Sequence, residues 1–119
     1  MFTQPAQPQL LSVIVPCRNE AAHIDAFCDS ALQQQLPPGW QMEVLVADGC
    51  SDDGTRERLQ QRCAADPRLR WVDNPGRIVS TGLNACLRLA RGSVVARLDV
   101  HTQFAPDYLA QCLAALERT

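Results

Sequence analysis

The sequence predicts an α/β fold in which a mostly parallel sheet lies between two layers of helices. Four short apolar stretches that suit strands alternate with stretches in which apolar residues recur at helical spacing. Short connections join them, and this alternation is typical of parallel sheets with right-handed crossovers. Residues 44–47 are apolar without interruption, as expected for a strand covered on both faces. The sequence therefore predicts a three-layer α/β/α arrangement.

The first strand is predicted over residues 10–15 and ends at Pro16. Asn19 is predicted to cap the helix that follows, because its side chain can accept a hydrogen bond from a backbone N–H at a helix start. Apolar residues then recur at the spacing of one buried helix face: Ile24, Phe27, Cys28, Ala31 and Leu32. We therefore expect the first helix to pack on the sheet through this face.

The second helix is predicted to follow the acidic turn of residues 48–54, with Leu59 and Cys63 facing inward. Asp53 in this turn is interpreted as a helix cap in preference to a ligand contact. A third strand is predicted over residues 69–72, and the sequence Asn-Pro-Gly at residues 74–76 then indicates a turn.

Ser80 or Thr81 is predicted to cap the third helix, which should end at Gly92 in a left-handed conformation. Its inward-facing residues are expected to be Leu83, Leu87 and Ala90. The fourth strand is predicted over residues 94–98, and Pro106 opens a fourth helix.

Length and composition indicate about one small domain. The chain has 119 residues, enough for a core but few for a complete α/β enzyme. Residues 1–9 contain two prolines and no periodicity, so they are predicted to form a flexible tail before a domain of residues 10–119. A net charge of -2 gives no electrostatic argument for nucleic acid as a partner. No apolar run approaches the roughly 18 residues of a membrane span.

The six cysteines contain no C-x-x-C pair and are spread through strand ends, turns and apolar helix faces. This distribution favours free thiols over a disulfide framework, so we expect six free cysteines and a reducing compartment.

Three acidic residues follow predicted strands: Glu20, Asp48 and Asp99. In open α/β sheets, ligands bind in the crevice outside the carboxyl ends of the strands. Because these ends share one edge of a parallel sheet, we expect the three carboxylates to meet in one crevice. An acid in that position is a functional candidate, although Asp before Gly is also common in plain turns.

Two familiar phosphate-binding motifs are missing. The turn after the first strand is P-C-R-N-E in place of the G-x-G-x-x-G that a dinucleotide requires. The P-loop motif is absent as well, and the chain contains no lysine to complete one. A phosphate-bearing ligand must therefore be held in another way, most simply by a divalent metal on Asp99 and His101.

Four stretches taken together carry a family resemblance: V-I-V-P-C-R-N-E, V-L-V-A-D-G-C-S-D-D-G-T, N-P-G-R-I-V-S-T-G-L-N-A-C-L-R-L-A-R-G and V-V-A-R-L-D-V-H-T. In this order and spacing they resemble the nucleotide-sugar-binding half of family 2 glycosyltransferases, which are inverting enzymes. The D-x-H-T ending is similar to the branch that builds succinoglycan-like exopolysaccharides. The resemblance implies a Rossmann-like GT-A half for nearly the whole chain after the tail.

The resemblance also implies roles for particular residues. Those expected to bind the nucleotide sugar are Pro16, Glu20, Asp48, Asn84 and Asp99. Pro16 and Glu20 would line the nucleoside pocket, and Asp48 would accept the N–H of a base such as uracil. Asp99 and His101 would hold Mn²⁺ or Mg²⁺, and Arg18 or Arg77 could meet a phosphate.

The activity implied is transfer of a sugar, expected to be UDP-linked, to a glycan or lipid-linked acceptor in polysaccharide biosynthesis. In the family the catalytic base lies well beyond the D-x-D strand, so we expect the base beyond residue 119 and an inactive isolated chain. A cytoplasmic location is expected, with any membrane association through a C-terminal part outside this sequence. The alternatives are a non-catalytic nucleotide-binding or partner-binding module and a nucleotidyltransferase with a similar sheet.

Overall fold

Strands and helices alternate four times in the computed structural model, which describes residues 8–118. In chain order they are β1 (Gln9–Cys17), α1 (Ile24–Leu32), β2 (Trp40–Asp48), α2 (Thr55–Ala65), β3 (Leu69–Asp73), α3 (Val79–Leu89), β4 (Val94–Arg97) and α4 (Tyr108–Glu117). The predicted order of elements is confirmed. Of the predicted tail, residues 1–7 lie outside the described residues, and Gln9 already belongs to β1.

The four strands form one parallel sheet in the order β3-β2-β1-β4. Strand β1 is central and pairs with β2 from Gln9 to Cys17, whereas β4 pairs with it only from Leu11 to Ile14. The predicted parallel sheet is therefore confirmed, and the carboxyl ends of β1, β2 and β4 lie at the same edge.

Helices cover both faces of this sheet. Val13, Val15 and Val46 belong to a core that also contains buried side chains of α1, α2 and α4. Ile14 and Leu45, which alternate with those residues along the strands, pack instead with Cys86 of α3. The three-layer prediction is confirmed, and it explains why the middle strands are apolar throughout.

The predicted cap at Asn19 is wrong. Helix α1 begins at Ile24, and Asn19 has a left-handed φ of 53° in the loop before it. Its N–H donates to Ser51 Oγ at 2.8 Å, and its side-chain oxygen accepts from the Asp52 N–H at 2.9 Å. Asn19 therefore joins the loop after β1 to the loop after β2, and the predicted apolar face of α1 still packs inward.

The predicted start and inner face of α3 need correction. The helix begins at Val79 after Ile78, so neither serine nor threonine caps it, and Thr81 Oγ1 donates back to the Ile78 carbonyl. Gly82 and Cys86 are the buried residues, and the predicted Leu83 and Ala90 are partly buried against the same core, whereas Leu87 is 48% exposed. A Cβ added at position 82 would lie 3.2 Å from Pro16 Cβ in β1 and 3.5 Å from Ala47 Cβ in β2, so this face of the helix lies directly on the sheet.

Gly92 was expected in a left-handed cap, and this expectation is wrong. Helix α3 ends at Leu89, and the positive-φ glycines of the described chain are Gly39 and Gly54. A Cβ at position 92 would lie 2.6 Å from both the Leu10 carbonyl oxygen and Ser12 Oγ. Glycine is therefore needed for close approach to β1, where the Gly92 N–H donates to Ser12 Oγ at 2.8 Å.

Gly92→Ala is expected to destabilise the chain by about 2 kcal/mol, because the added methyl group must push apart backbone atoms of β1 that cannot rotate away. Urea unfolding followed by circular dichroism measures the change. Ser93→Ala at the exposed neighbouring position is the control and should unfold at the wild-type midpoint. Equal midpoints for Gly92→Ala and wild type would contradict the close approach.

All six cysteines are free thiols. Burial raises the pKa of the Cys28 thiol to about 11, so this thiol stays protonated and unreactive near neutral pH. Within residues 8–118, none of the helices has both the length and the apolar character needed to cross a bilayer.

Candidate functional site

A crevice of about 250 Å³ opens at the carboxyl ends of β1 and β4. Four of the residues predicted to bind ligand line it, namely Pro16, Glu20, Asp99 and His101. The loop before α3 closes a third side through Asn74 and Arg77. The expected meeting of strand ends at one edge therefore produces a real concave site.

Three arginines, Arg18, Arg77 and Arg97, line the same crevice. Within residues 8–118 no carboxylate forms an ion pair with any of these guanidinium groups. Arg77 is held at a left-handed φ of 67° by the turn that follows β3. Arg97 was not anticipated from the sequence, although its position two residues before Asp99 was an available signal.

Glu20 lines the crevice and is held in place by hydrogen bonds of its backbone. Its backbone N–H donates to Thr55 Oγ1 at 2.9 Å, and its carbonyl accepts from the N–H groups of His23 and Ile24 at the start of α1. Its carboxylate oxygen lies 2.7 Å from His101 Nε2, with the Glu20 side chain only 14% exposed. The crevice is thus bridged by a contact between the loop after β1 and the loop after β4.

The fourth strand, predicted over residues 94–98, ends at Arg97, and residues 99–101 do not continue it. The chain turns because Asp99 Oδ1 accepts the His101 N–H at 2.9 Å. The Thr102 N–H donates to the Asp99 carbonyl at 3.2 Å, and Val100 is buried. The turn aims the imidazole of His101 at Glu20.

His23 lies next to His101 without lining the crevice itself, and it was missed at the sequence level. Its ring lies edge-on to that of His101, with centroids 4.9 Å apart. One potential ligand atom from each of Glu20, His23 and His101 lies within 4.8 Å of the others. The available signal was the spacing of His23 three residues after Glu20, which is close to one helical turn.

Asp48 lies behind the crevice and does not line it. The side chain is fully buried, and its carboxylate accepts hydrogen bonds from Ser51 Oγ, from the Ser51 N–H at 3.2 Å and from Arg56 Nε at 2.9 Å. Arg56 also pairs with Asp73 and stacks on Trp71. A base could reach this carboxylate only if Ser51 or Arg56 moved, so its role as a base contact stays a prediction.

Asn84 is not brought to the crevice either. It is exposed, and it is two residues from both Gly82 and Cys86, the two buried residues of α3. About 200° of helical rotation separates it from each of them, so it lies on the face away from the sheet. Its assignment to the donor stays a prediction.

Asp53 joins the start of α2 to the loop after β1. Its carboxylate accepts the N–H of Thr55, the first residue of α2, and the N–H of Ala21. The hydrogen bond from Thr55 Oγ1 lowers the pKa of Asp53. The predicted cap is therefore wrong in position, because Gly54 is the N-cap of α2, but the Asp53 carboxylate still accepts the first N–H of the helix.

The charges of the crevice are complementary to a phosphate group with a cation beside it. Guanidinium groups present planar, paired donors to phosphate oxygens, and three of them face this space. The carboxylate of Glu20 and the imidazoles of His23 and His101 supply the oxygen and nitrogen donors that divalent metals bind. The crevice can therefore hold a charged phosphate ester between its arginines and its metal-binding groups.

Comparison with known proteins gives a consistent result. The family described as "Glycosyl transferase family 2" matches residues 12–119. The succinoglycan biosynthesis protein ExoA of Rhizobium meliloti is 41% identical over 98 residues, which are 81% of this chain and 29% of that protein. The chain thus spans less than a third of the length of this relative.

Two solved structures align with the chain. A mannosyltransferase from Pyrobaculum calidifontis in complex with GDP-Man and Mn²⁺ aligns with a TM-score of 0.80 and 32% identity, over 89% of this chain and 32% of that one. S. aureus TarS 1-349 in complex with UDP aligns with a TM-score of 0.72 and 25% identity, over 91% of this chain and 32% of that one. These alignments confirm the predicted Rossmann-like GT-A fold class. Because the family matches nearly all of the sequence, the chain belongs to glycosyl transferase family 2.

Proposed function

We propose that the chain is the donor-binding part of a glycosyltransferase that acts in polysaccharide biosynthesis. The donor is a sugar linked to a nucleoside diphosphate, UDP in preference to GDP, and the acceptor is a glycan or a lipid-linked glycan. The observation that carries this proposal is the crevice in which Arg18, Arg77 and Arg97 face Glu20 and Asp99. Family membership and the similarity to a succinoglycan biosynthesis protein support it.

The three guanidinium groups would bind the diphosphate. They come from the loop after β1, the loop before α3 and the end of β4, so they surround the crevice. A charge-assisted hydrogen bond contributes about 1.5–3 kcal/mol, roughly twice a neutral one. Because these arginines lack carboxylate partners within residues 8–118, a diphosphate would gain those contacts without breaking an existing ion pair.

A divalent cation fits the part of the site where the Glu20 carboxylate meets the His101 imidazole. We propose that Asp99 and His101 hold it, and one aligned structure contains Mn²⁺ together with GDP-Man. Such a cation would neutralise negative charge on the diphosphate. The turn that joins Asp99 Oδ1 to the His101 N–H would keep both residues in place beside the donor.

The nucleoside would lie toward Pro16 and Glu20, and Asp48 would accept the base N–H after a shift of Arg56. The proposal of UDP rests on the expected contact between Asp48 and the N–H of a base such as uracil; of the aligned structures, one TarS structure contains UDP and the mannosyltransferase contains GDP-Man. In the described chain the carboxylates that line the crevice are Glu20 and Asp99, and both already accept or pair with neighbouring groups. We therefore propose that the base for the acceptor hydroxyl lies outside residues 1–119, so that this chain binds a donor but does not transfer its sugar.

We further propose a cytoplasmic location, at the inner face of the membrane if the acceptor is lipid-linked. The free thiols support a reducing compartment.

A titration with UDP and with uridine tests the donor proposal. We expect UDP to bind and uridine to bind at least tenfold more weakly, because only UDP carries the diphosphate. Arg77→Ala and Arg97→Ala should each weaken UDP binding about tenfold or more, since each loses a charge-assisted contact. Isothermal titration calorimetry in Mg²⁺ buffer measures these affinities.

Arg88→Ala is the matched control, because Arg88 is an exposed arginine of α3 outside the crevice. It should bind UDP as the wild type does. Equal affinities for UDP and uridine, or equal losses in all three arginine variants, would contradict a diphosphate site in the crevice.

A further inference from the structure

We propose that Glu20 and His23 act together with His101 as the ligands of a divalent transition metal. The inference deepens the proposed function, on which it rests only for the role of the metal beside the donor. It revises the assignment of Asp99 and His101: Glu20 and His23 from the loop after β1 take the place of Asp99 as ligands beside His101, and Asp99 instead holds the backbone of His101. The predicted site is therefore one with two nitrogen donors and one oxygen donor.

The backbone holds these three residues before any metal binds. Hydrogen bonds from the His23 and Ile24 N–H groups to the Glu20 carbonyl fix the turn that carries Glu20 and His23. The contact between the Glu20 N–H and Thr55 Oγ1 anchors that turn to α2. In the loop after β4, Asp99 Oδ1 accepts the His101 N–H and so holds the backbone of His101. A site supported on both sides in this way loses little conformational entropy on binding.

The distances fit a single ion. Glu20 Oε1 is 2.7 Å from His101 Nε2, and one donor atom from each of the three residues lies within 4.8 Å of the other two. Donor atoms around one metal at about 2.0–2.2 Å are separated by roughly 3–4 Å, so only small side-chain rotations are required. His23 and His101 are exposed, which leaves room for oxygens of a ligand on the open side.

A plain ion pair between Glu20 and protonated His101 is the competing explanation. It accounts for the 2.7 Å contact but gives no role to His23, whose ring lies beside that of His101. Two neighbouring imidazoles repel each other when both are protonated, whereas a metal binds both in the neutral form. Imidazole suits Zn²⁺ and other late transition metals, whereas Mg²⁺ prefers oxygen ligands. We therefore expect the site to select Zn²⁺, Co²⁺ or Mn²⁺ over Mg²⁺.

The two histidines are the only ones in the sequence, so histidine signals report on this site alone. The test uses the chain labelled with ¹⁵N-histidine and titrated with Zn²⁺ without nucleotide. We expect the ring-nitrogen resonances of both histidines to shift together and to saturate at one equivalent. Separate calorimetry should show that His23→Gln and Glu20→Gln each weaken Zn²⁺ binding tenfold or more, and Mg²⁺ should not compete at equal concentration.

Two further variants keep the test specific. Asp25→Asn removes an exposed carboxylate of α1 that pairs with Arg58 away from the crevice, and it should bind Zn²⁺ normally. Asp99→Asn should weaken Zn²⁺ binding less than His23→Gln does. The inference is overturned if only the His101 resonance responds, if His23→Gln binds Zn²⁺ as the wild type does, or if Asp99→Asn has the larger effect. Failure here with normal UDP binding would leave the proposed donor site intact.

Discussion

Asp99→Ala is expected to reduce sugar transfer by about 10³-fold, to the background rate, in any preparation of the protein that transfers sugar. Two losses combine in this variant. The crevice loses one of its carboxylates, and the turn that aims His101 loses the acceptor of its N–H. Because Asp99 and His101 both line the crevice proposed to hold the diphosphate, both losses affect how the charge that develops as the sugar leaves is stabilised.

The measurement is transfer from a radiolabelled UDP-sugar, with circular dichroism to check folding. Asp99 is exposed, so its replacement should change the free energy of unfolding by no more than about 0.5 kcal/mol. Asp107→Ala is the control, since Asp107 is an exposed acid before α4 that does not line the crevice, and it should keep normal transfer. Substantial transfer by a folded Asp99→Ala variant would remove Asp99 from the active site.

Glu43→Ala is expected to cause the largest loss of stability, about 2–4 kcal/mol. The Glu43 carboxylate is 7% exposed and joins three segments of the fold. It accepts hydrogen bonds from Ser12 Oγ at 2.6 Å, from the Arg91 N–H at 2.7 Å and from the Arg70 guanidinium at 2.9 Å. Removing it leaves those donors without their acceptor, and the partly exposed Arg70 recovers some of the loss in water.

The pH dependence of stability should report the same network. Burial alone would raise the pKa of Glu43, but hydrogen bonds from Arg91, Ser12 and Arg70 outweigh it and hold this pKa below its usual value. The unfolded state therefore binds a proton at higher pH than the folded state does, so the stabilisation is complete above about pH 4.3. It is lost as the pH falls through the lowered pKa of the folded state.

Urea unfolding at several pH values measures both effects. Glu43→Gln keeps the shape of the side chain but cannot ionise, so its stability should depend less on pH between about 5 and 3 than that of the wild type. Asp25→Asn, which breaks an exposed pair with Arg58, should change stability by less than about 1 kcal/mol. A wild-type midpoint for Glu43→Ala would show that the network contributes nothing.

The sheet and the position of the crevice could be predicted because they depend on local pattern. Uninterrupted apolar runs identify strands that are covered on both faces, and parallel strands must end at one edge. The shared edge was predicted, but the pairing of β1 with β4 was not, and this pairing is what brings Glu20 and Asp99 into one crevice while Asp48 stays outside it.

The failures arise where tertiary contacts override local pattern. Helix α3 turns Gly82 inward and leaves Leu87 exposed, because close packing on β1 and β2 decides its rotation more strongly than hydrophobic spacing does. Asp48 is enclosed by Arg56, a contact that depends on how α2 leaves the turn. His101 turns toward Glu20 because Asp99 accepts its N–H, and alternation along an ideal strand could not reveal that turn.

The position of the donor is the central claim, and amide chemical-shift mapping tests it most directly. The ¹⁵N-labelled chain is titrated with UDP in the presence of Mg²⁺, which does not broaden the signals. We predict that the largest shifts fall in residues 17–20, 77–79 and 98–102, which surround the crevice, while Glu43 and Gly92 near the opposite edge stay unchanged. Saturable shifts centred on Glu43 and Gly92, or no shifts in the three crevice segments at millimolar UDP, would contradict the account.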